Sequence, residues 1–402
     1  MIFRMKKGSV KRQHKQKKTS IRKLYGAVCE IGLQFFFFLP VKKNKIVFDN
    51  FGGRGYGCDP KYIAEELLAR RLNLDLVWLT QDINTPLPKG IRPVLYGGVR
   101  ALYELATAKV WIDNVKSALR IPKKKSQYYI QTWHTSLGLK KNEQDAEILR
   151  KPYIRRAKRD AAATDLMYSN NAFRADKYQN RFWYQGEVIR CGHPRNGILI
   201  QRPESIVKKV REYFGLPADK KIVLYAPTFR SQSGNEVYHL DIHTCLRVLN
   251  EKFSGEYICL RRLHPNVAEQ SKGALDTEFV KQATDYPDMQ ELLAAADVLI
   301  TDYSGSMFEF MLTKRPVFLL VRDIENYIAK ERGLYFSLEE LPFEAAASEE
   351  ELYEKIRRFD VDSYLEKCRL FMQRVGMEDD GNGSQVIADI ILEQTGGESA
   401  WK

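Results

Sequence analysis

The 402-residue chain has no CxxC pair among its six cysteines, at positions 29, 58, 191, 245, 259 and 368. It has no His/Cys cluster at metal-ligand spacing either, which excludes a zinc ribbon and a dithiol redox motif. Cysteines scattered in this way read as reduced thiols of a cytosolic protein. No carboxylate cluster of the metal-site kind is evident, so a divalent metal is not indicated. The glycines at 52, 53, 55 and 57 miss the GxGxxG spacing, which argues against a dinucleotide site. Internal repeats and low-complexity segments are missing from the body. No apolar run reaches the roughly 20 residues that a membrane-spanning helix needs. The nearest candidate, Leu24 to Pro40, is shorter and is interrupted by Glu30 and Gln34.

Acid is missing from residues 1–29, which carry ten Lys or Arg. Without them the net charge falls from +13 to +3, so a nearly balanced body follows a basic arm. With 44% hydrophobic and 29% charged residues, that body is globular rather than disordered. The arm runs into LYGAVCEIGLQFFFFLP, and no small-residue cleavage pattern precedes the lysines at 42–45, which argues against a signal peptide. An interfacial segment fits best. The cations of residues 1–40 would meet anionic lipid, and Phe35 to Phe38 would sit among acyl chains. A nucleic-acid arm is the competing reading of the charge, and the four phenylalanines count against it. The expectation is peripheral attachment to the cytoplasmic face of the membrane, with no nucleic-acid partner.

From residue 45 the chain alternates. KIVFDN (45–50) reads as a strand, followed by a glycine-rich turn, the apolar-period helix KYIAEELLARRL and the strand LDLVWLT. Further strands are expected at 92–96, 108–114, 127–133 and 165–170, with a charged helical region over 143–160. A second α/β unit opens with KKIVLYAPTFR (220–230) and EYICLRRLHP (256–265), and it closes with RPVFLL (315–320). The expected architecture is α/β, with two Rossmann-like domains facing a central cleft. Its parts are an arm and apolar segment at 1–44, an N-terminal domain at 45–200, a C-terminal domain at 201–345 and packing helices at 346–402. Residues 196–219 are the expected linker.

In such folds ligands lie at the carboxyl ends of strands. His134, Thr228, Arg230, His264, Asp302 and Ser304 all directly follow predicted strands, so they would share one rim. The stretch DVLITDYSGSMFEF (297–310) reads as strand, polar turn and helix, and a helix start with serine hydroxyls suits a phosphate. An ordinary N-cap would look the same. Imidazole supplies a base for an acceptor hydroxyl, and Arg, Lys and Ser supply donors for phosphates.

Taken in order, QTWHTSLGLKK (131–141), GHPRN (192–196), APTFR (226–230), RLHP (262–265) and TDYSGSMFEF (301–310) resemble the CDP-glycerol glycerophosphotransferases of teichoic acid and capsule synthesis. The resemblance spans about residues 45–345 and includes RDIENYIAKERGLYF (322–336). It implies a GT-B fold and transfer of an alditol phosphate from CDP-glycerol or CDP-ribitol to a membrane-linked polymer hydroxyl, releasing CMP, with no tightly bound cofactor. It assigns His134 as base and His264 as the second essential histidine. Arg230, Asp302 and Ser304 fall where the family binds the CDP moiety. Lys140, Arg195, Thr228, Arg262, Ser306 and Glu309 complete the substrate-binding set.

The chain also departs from the family pattern. Thr135 stands where WHGTPLK has glycine, Gly305 interrupts the paired serines of TDYSS, and Glu309 replaces an aspartate, which points to a different alditol or acceptor. The alternatives are a GT-B glycosyltransferase using a nucleotide sugar, told apart by its released nucleotide, and a non-enzymatic protein that binds through the arm.

Overall fold

The computed structural model describes residues 36, 38–117, 121–230, 235–263, 276–324, 327 and 333–396. Most of the segment expected to meet the membrane lies outside them, as does His264.

Two parallel sheets carry the fold. The first has seven strands in the order β3-β2-β1-β4-β5-β6-β7: β1 (Lys42–Asp49), β2 (Asp75–Thr80), β3 (Ile91–Leu95), β4 (Ala108–Asp113), β5 (Tyr128–Gln131), β6 (Leu166–Ser169) and β7 (Glu187–Arg190). The second has six in the order β10-β9-β8-β11-β12-β13: β8 (Lys221–Tyr225), β9 (Tyr257–Arg261), β10 (Val280–Gln282), β11 (Val298–Thr301), β12 (Val317–Leu320) and β13 (Glu344–Ala346). Strands such as VLIT and VFLL are buried along their whole length, as strands covered by helices on both faces must be. This is the expected GT-B-like arrangement of two Rossmann-like sheets.

Each sheet reverses direction once. The chain leaves β1 outward through β2 and β3 and returns on the other side of β1 as β4; β8 and β11 repeat the pattern. Such switch points open a crevice at the strand carboxyl ends.

Some details differ from the sequence reading. The first strand starts at Lys42, three residues before the expected boundary. The expected linker is helical, with helices at Gly197–Gln201 and Glu204–Phe214, the second packed on the Met289–Ala295 helix. The charged region 143–160 divides into a single 3₁₀ turn at Glu143–Asp145 and a helix at Lys151–Ala163, because Pro152 fits only a first helical turn. Of the C-terminal helices, Glu349–Arg358 and Val361–Val375 pack in the second sheet's core, whereas the last crosses to the first. Ile387, Ala388, Ile391 and Leu392 of the Gly383–Thr395 helix join the core of the first sheet beside Ile46 and Val110. Each larger side chain so buried contributes about 1.5–3 kcal/mol. Antiparallel bridges Lys140–Leu334 and Asn171–Met377 add further stitches between distant segments.

Candidate active site

The loop after β5 places the first candidate. Trp133 adopts a left-handed φ of +53°, an uncommon conformation for a bulky residue, and its N–H is held by the Gln131 side chain at 3.1 Å. The kink leaves the Trp133 ring buried and the His134 side chain open to solvent at the bottom of the cleft. His134 Nδ1 lies 2.8 Å from the backbone carbonyl of Asn114, at the end of β4. A carbonyl only accepts, so Nδ1 carries the proton and Nε2 keeps its lone pair. Protein mass around the cleft floor pushes the imidazole down from 6.5 to about 4 although its edge meets solvent, partly offset by the Asn114 bond and reinforced by Arg195, Arg174 and Lys116. The result is a neutral base. Phe51 packs beside it with ring centroids 5.2 Å apart. The Phe51 backbone is also left-handed, and its N–H donates to Asn114 Oδ1 at 2.7 Å. Asn114 therefore positions both rings. The strand-end rule reaches it in the sequence, at the end of AKVWIDN, but an amide carries neither the base nor the charge that marks a candidate there.

Below this pair, Asp49 and Asp113 end β1 and β4 in register. Burial pushes Asp49 up to about 6 and Asp113 well above the usual carboxylate range, with the Asp49 charge adding to the second shift.

A cavity of about 250 Å³ joins the two sheets' carboxyl ends, lined by His134, Thr135, Gly138, Leu139, Lys140, Asn142, Thr228, Tyr303, Ser304 and Gly305. The structure thus brings together His134, Lys140, Thr228 and Ser304 from the expected set. Ser304 Oγ bonds Ser306 Oγ at 2.8 Å, and the short Ser306–Met311 helix starts at Gly305 with no side-chain cap. A Cβ on Gly305 would stand 2.9 Å from Thr135 Cγ2, and one on Gly138 3.0 Å from the same methyl. The two departures from the family pattern, at 135 and 305, are in contact.

Other expected ligand contacts are taken up inside the protein. Asp302 accepts from the Thr228 and Tyr303 backbone N–H groups and pairs with Arg230. Arg230 also meets Asp323 at 3.0 Å and lies within 5.3 Å of the Tyr303 and Tyr327 rings, leaving its buried guanidinium fully engaged. Both residues clasp the β8 and β11 turns together at the rim where the donor was expected to bind.

Arg195 is likewise paired inside the protein. It is 2% exposed and bridges Asp59 and Glu309 at 2.6 Å each, joining the first sheet's Cys58–Ala69 helix to the helix after Ser304. Glu309 is buried in that bridge and also accepts from Gln290. Burial alone would raise the Asp59 carboxyl, but Arg195 and His193 hold it below its usual value. Arg262 donates to the Ala283 and Tyr286 carbonyls, and it does not line the cavity. Sequence reading gave no role to Asp59, Asn142, Arg174 or the His193 of GHPRN, because nothing in helix or loop spacing brings them together.

A larger cavity, about 670 Å³, lies at the outer edge of the second sheet between Leu338–Ala345 and the helices Glu349–Arg358 and Val361–Val375. None of the sequence-predicted site residues lines it. Among the described residues no group of three or more His, Cys, Asp or Glu is placed to hold a metal ion. No helix among them is long and apolar enough to cross a membrane.

Residues 31–393 match the family model of CDP-Glycerol:Poly(glycerophosphate) glycerophosphotransferase. The chain belongs to this family. It is 30% identical over 368 residues to the teichoic acid poly(glycerol phosphate) polymerase of Staphylococcus epidermidis, covering 87% of this chain and 51% of that one. The corresponding Bacillus spizizenii polymerase is 30% identical over 386 residues, covering 92% and 98%. The chain thus spans about half the length of the first of these curated relatives and nearly all of the second. The solved wall teichoic acid polymerase TagF superposes with a TM-score of 0.81 at 29% identity, covering 95% of this chain and 98% of that one. A variant of TagF has also been solved after a CDPG soak, with a TM-score of 0.81 at 28% identity, covering 95% and 98%.

Proposed function

We propose that this member of the glycerophosphotransferase family transfers glycerol phosphate from CDP-glycerol to a hydroxyl of a membrane-linked teichoic acid or capsular acceptor. The observation that carries the reading is the His134 geometry. A neutral imidazole with Nε2 free faces a cavity that joins the carboxyl ends of both sheets and has no acidic residue in its lining. His134 Nε2 accepts the proton of the acceptor hydroxyl. The oxygen attacks the β-phosphate of the donor, the bond from that phosphorus to the bridging oxygen breaks, and CMP leaves. Lys140, Thr228 and Ser304 hold phosphate oxygens, and Arg230 with Asp302 keeps the two turns in place around them. His264 serves as a second phosphate ligand. Residues 45–200 carry the acceptor side, residues 201–345 the donor side, and residues 1–40 hold the enzyme at an anionic cytoplasmic membrane surface. Glycerol is taken as the alditol because the matching family model and the 30–31% identical polymerases are named for glycerol phosphate.

The test is nucleotide release from CDP-glycerol, CDP-ribitol and UDP-sugars with a membrane extract as acceptor. The expected result is CMP from CDP-glycerol, abolished in His134→Ala. UDP from a sugar would make the chain a glycosyltransferase. Full activity in both His134→Ala and His264→Ala would remove both histidines from the mechanism.

A further inference from the structure

Arg174, in the Ala172–Arg181 helix, is 1% exposed, and among the described residues no carboxylate lies within 4 Å of it. Its Nε has no partner. The nearby carboxylate of Asp145 is instead engaged by Lys177 at 3.6 Å and Arg181 at 3.1 Å. The guanidinium stacks over Tyr178 and Phe182 at 5.0 and 4.9 Å, and Nη1 donates to Asn142 Oδ1 at 3.3 Å. A buried cation without a counter-charge is costly, and sites of function are where such a cost persists.

Arginine only donates, so the Asn142 atom facing it is the oxygen. That leaves the Asn142 amide N–H₂ as the edge without a protein partner among the described residues. Asn142 lines the same cavity as His134, and so does Thr228, whose buried Oγ1 also lacks a partner. Lys140 lines it too, and no Asp or Glu does. Asn142, Thr228 and Lys140 thus put donors on this wall with no carboxylate opposite them.

We propose that Asn142 is a phosphate-binding residue of this cavity, and that Arg174 is a positioning residue which orients the amide and lends it positive charge. The proposal rests on the functional reading only for the identity of the phosphate, which belongs either to the donor's pyrophosphate or to the acceptor's phosphodiester.

Asn142→Asp tests it in the full chain. The new carboxylate gives Arg174 its missing partner and turns the cavity edge from donor to acceptor. Stability and binding should therefore move in opposite directions, as they would not for a merely structural residue. The expected result is a thermal midpoint equal to or above that of the wild type. Affinity for CDP should fall at least tenfold if the phosphate is the donor's. If it is the acceptor's, CDP affinity is kept and KM for a synthetic glycerol phosphate acceptor rises at least tenfold. Arg174→Met makes the same comparison from the other partner and decides the matter if Asn142→Asp does not fold. Wild-type values for both ligands in the folded variants would overturn the proposal. Pyrophosphate alone separates this proposal from the functional reading. If wild-type protein binds pyrophosphate but not CDP, and Asn142→Asp binds neither, the functional reading fails and the anion site stands.

Discussion

Replacing Arg195 with alanine would leave two buried carboxylates without their cation. Asp59 is fully buried and Glu309 is 6% exposed, each 2.6 Å from the guanidinium. Removing one partner of a buried pair costs about 3–5 kcal/mol, because the remaining charge stays out of water. Asp59 would keep His193 at 2.9 Å, and Glu309 would keep Gln290 at 2.8 Å, which places the expectation at the lower end. With a urea slope of about 3 kcal/mol/M, a loss of about 3 kcal/mol moves the midpoint by about 1 M. The assay is equilibrium urea unfolding followed by tryptophan fluorescence, with CDP affinity measured on the same preparations. Glu309→Gln alone should cost less, and its effect should not add to that of Arg195→Ala, because the two share one bond. A wild-type midpoint in Arg195→Ala, together with a tenfold loss of CDP affinity, would refute this reasoning. It would return Arg195 to direct contact with the donor.

His134, held neutral down to about pH 4, should leave the acid limb of kcat/KM near that value and not at 6.5; a limb at 6.5 would mean that another group is the base. Because its folded pKa is depressed, the unfolded chain binds the extra proton, so its contribution to stability is present above pH 6.5 and lost as pH falls toward 4. His134→Ala should flatten that part of a midpoint-against-pH curve. Asp113 has the opposite sign: its raised pKa means that stability falls as pH rises through and above the usual carboxylate range. Asp113→Asn should therefore raise the thermal midpoint at pH 8 and leave it nearly unchanged at pH 4. Gly305→Ala should cost about 1–3 kcal/mol by driving a methyl into Thr135, and Thr135→Gly should recover most of it in a double-mutant cycle of thermal midpoints.

The sheets were legible because parallel strands buried on both faces are written as short apolar runs, and VLIT and VFLL appear at their expected places. The rim was legible because a strand's carboxyl end is a position in sequence as well as in space, which is how His134, Thr228 and Ser304 came to line one cavity. The protein partners of the arginines were not. Arg195 and Arg230 have the residue type that phosphates need, yet both are bonded to carboxylates far away in the chain: Asp59 and Glu309 for one, Asp302 and Asp323 for the other. Residue type states what a side chain can bind; only packing states whether its partner is a ligand or another part of the protein.

Sequence alone determined the two parallel sheets, the motif order that marks the family, and the histidine after β5, since each rests on local hydrophobic period or on residue order. Tertiary structure alone decided which nitrogen of His134 is free, through the Asn114 carbonyl 20 residues away, and which cations still face the cavity. It also decided that the last helix completes the first sheet's core. Those outcomes depend on contacts between segments far apart in the chain, where hydrogen-bond direction and burial are set by whatever element arrives opposite.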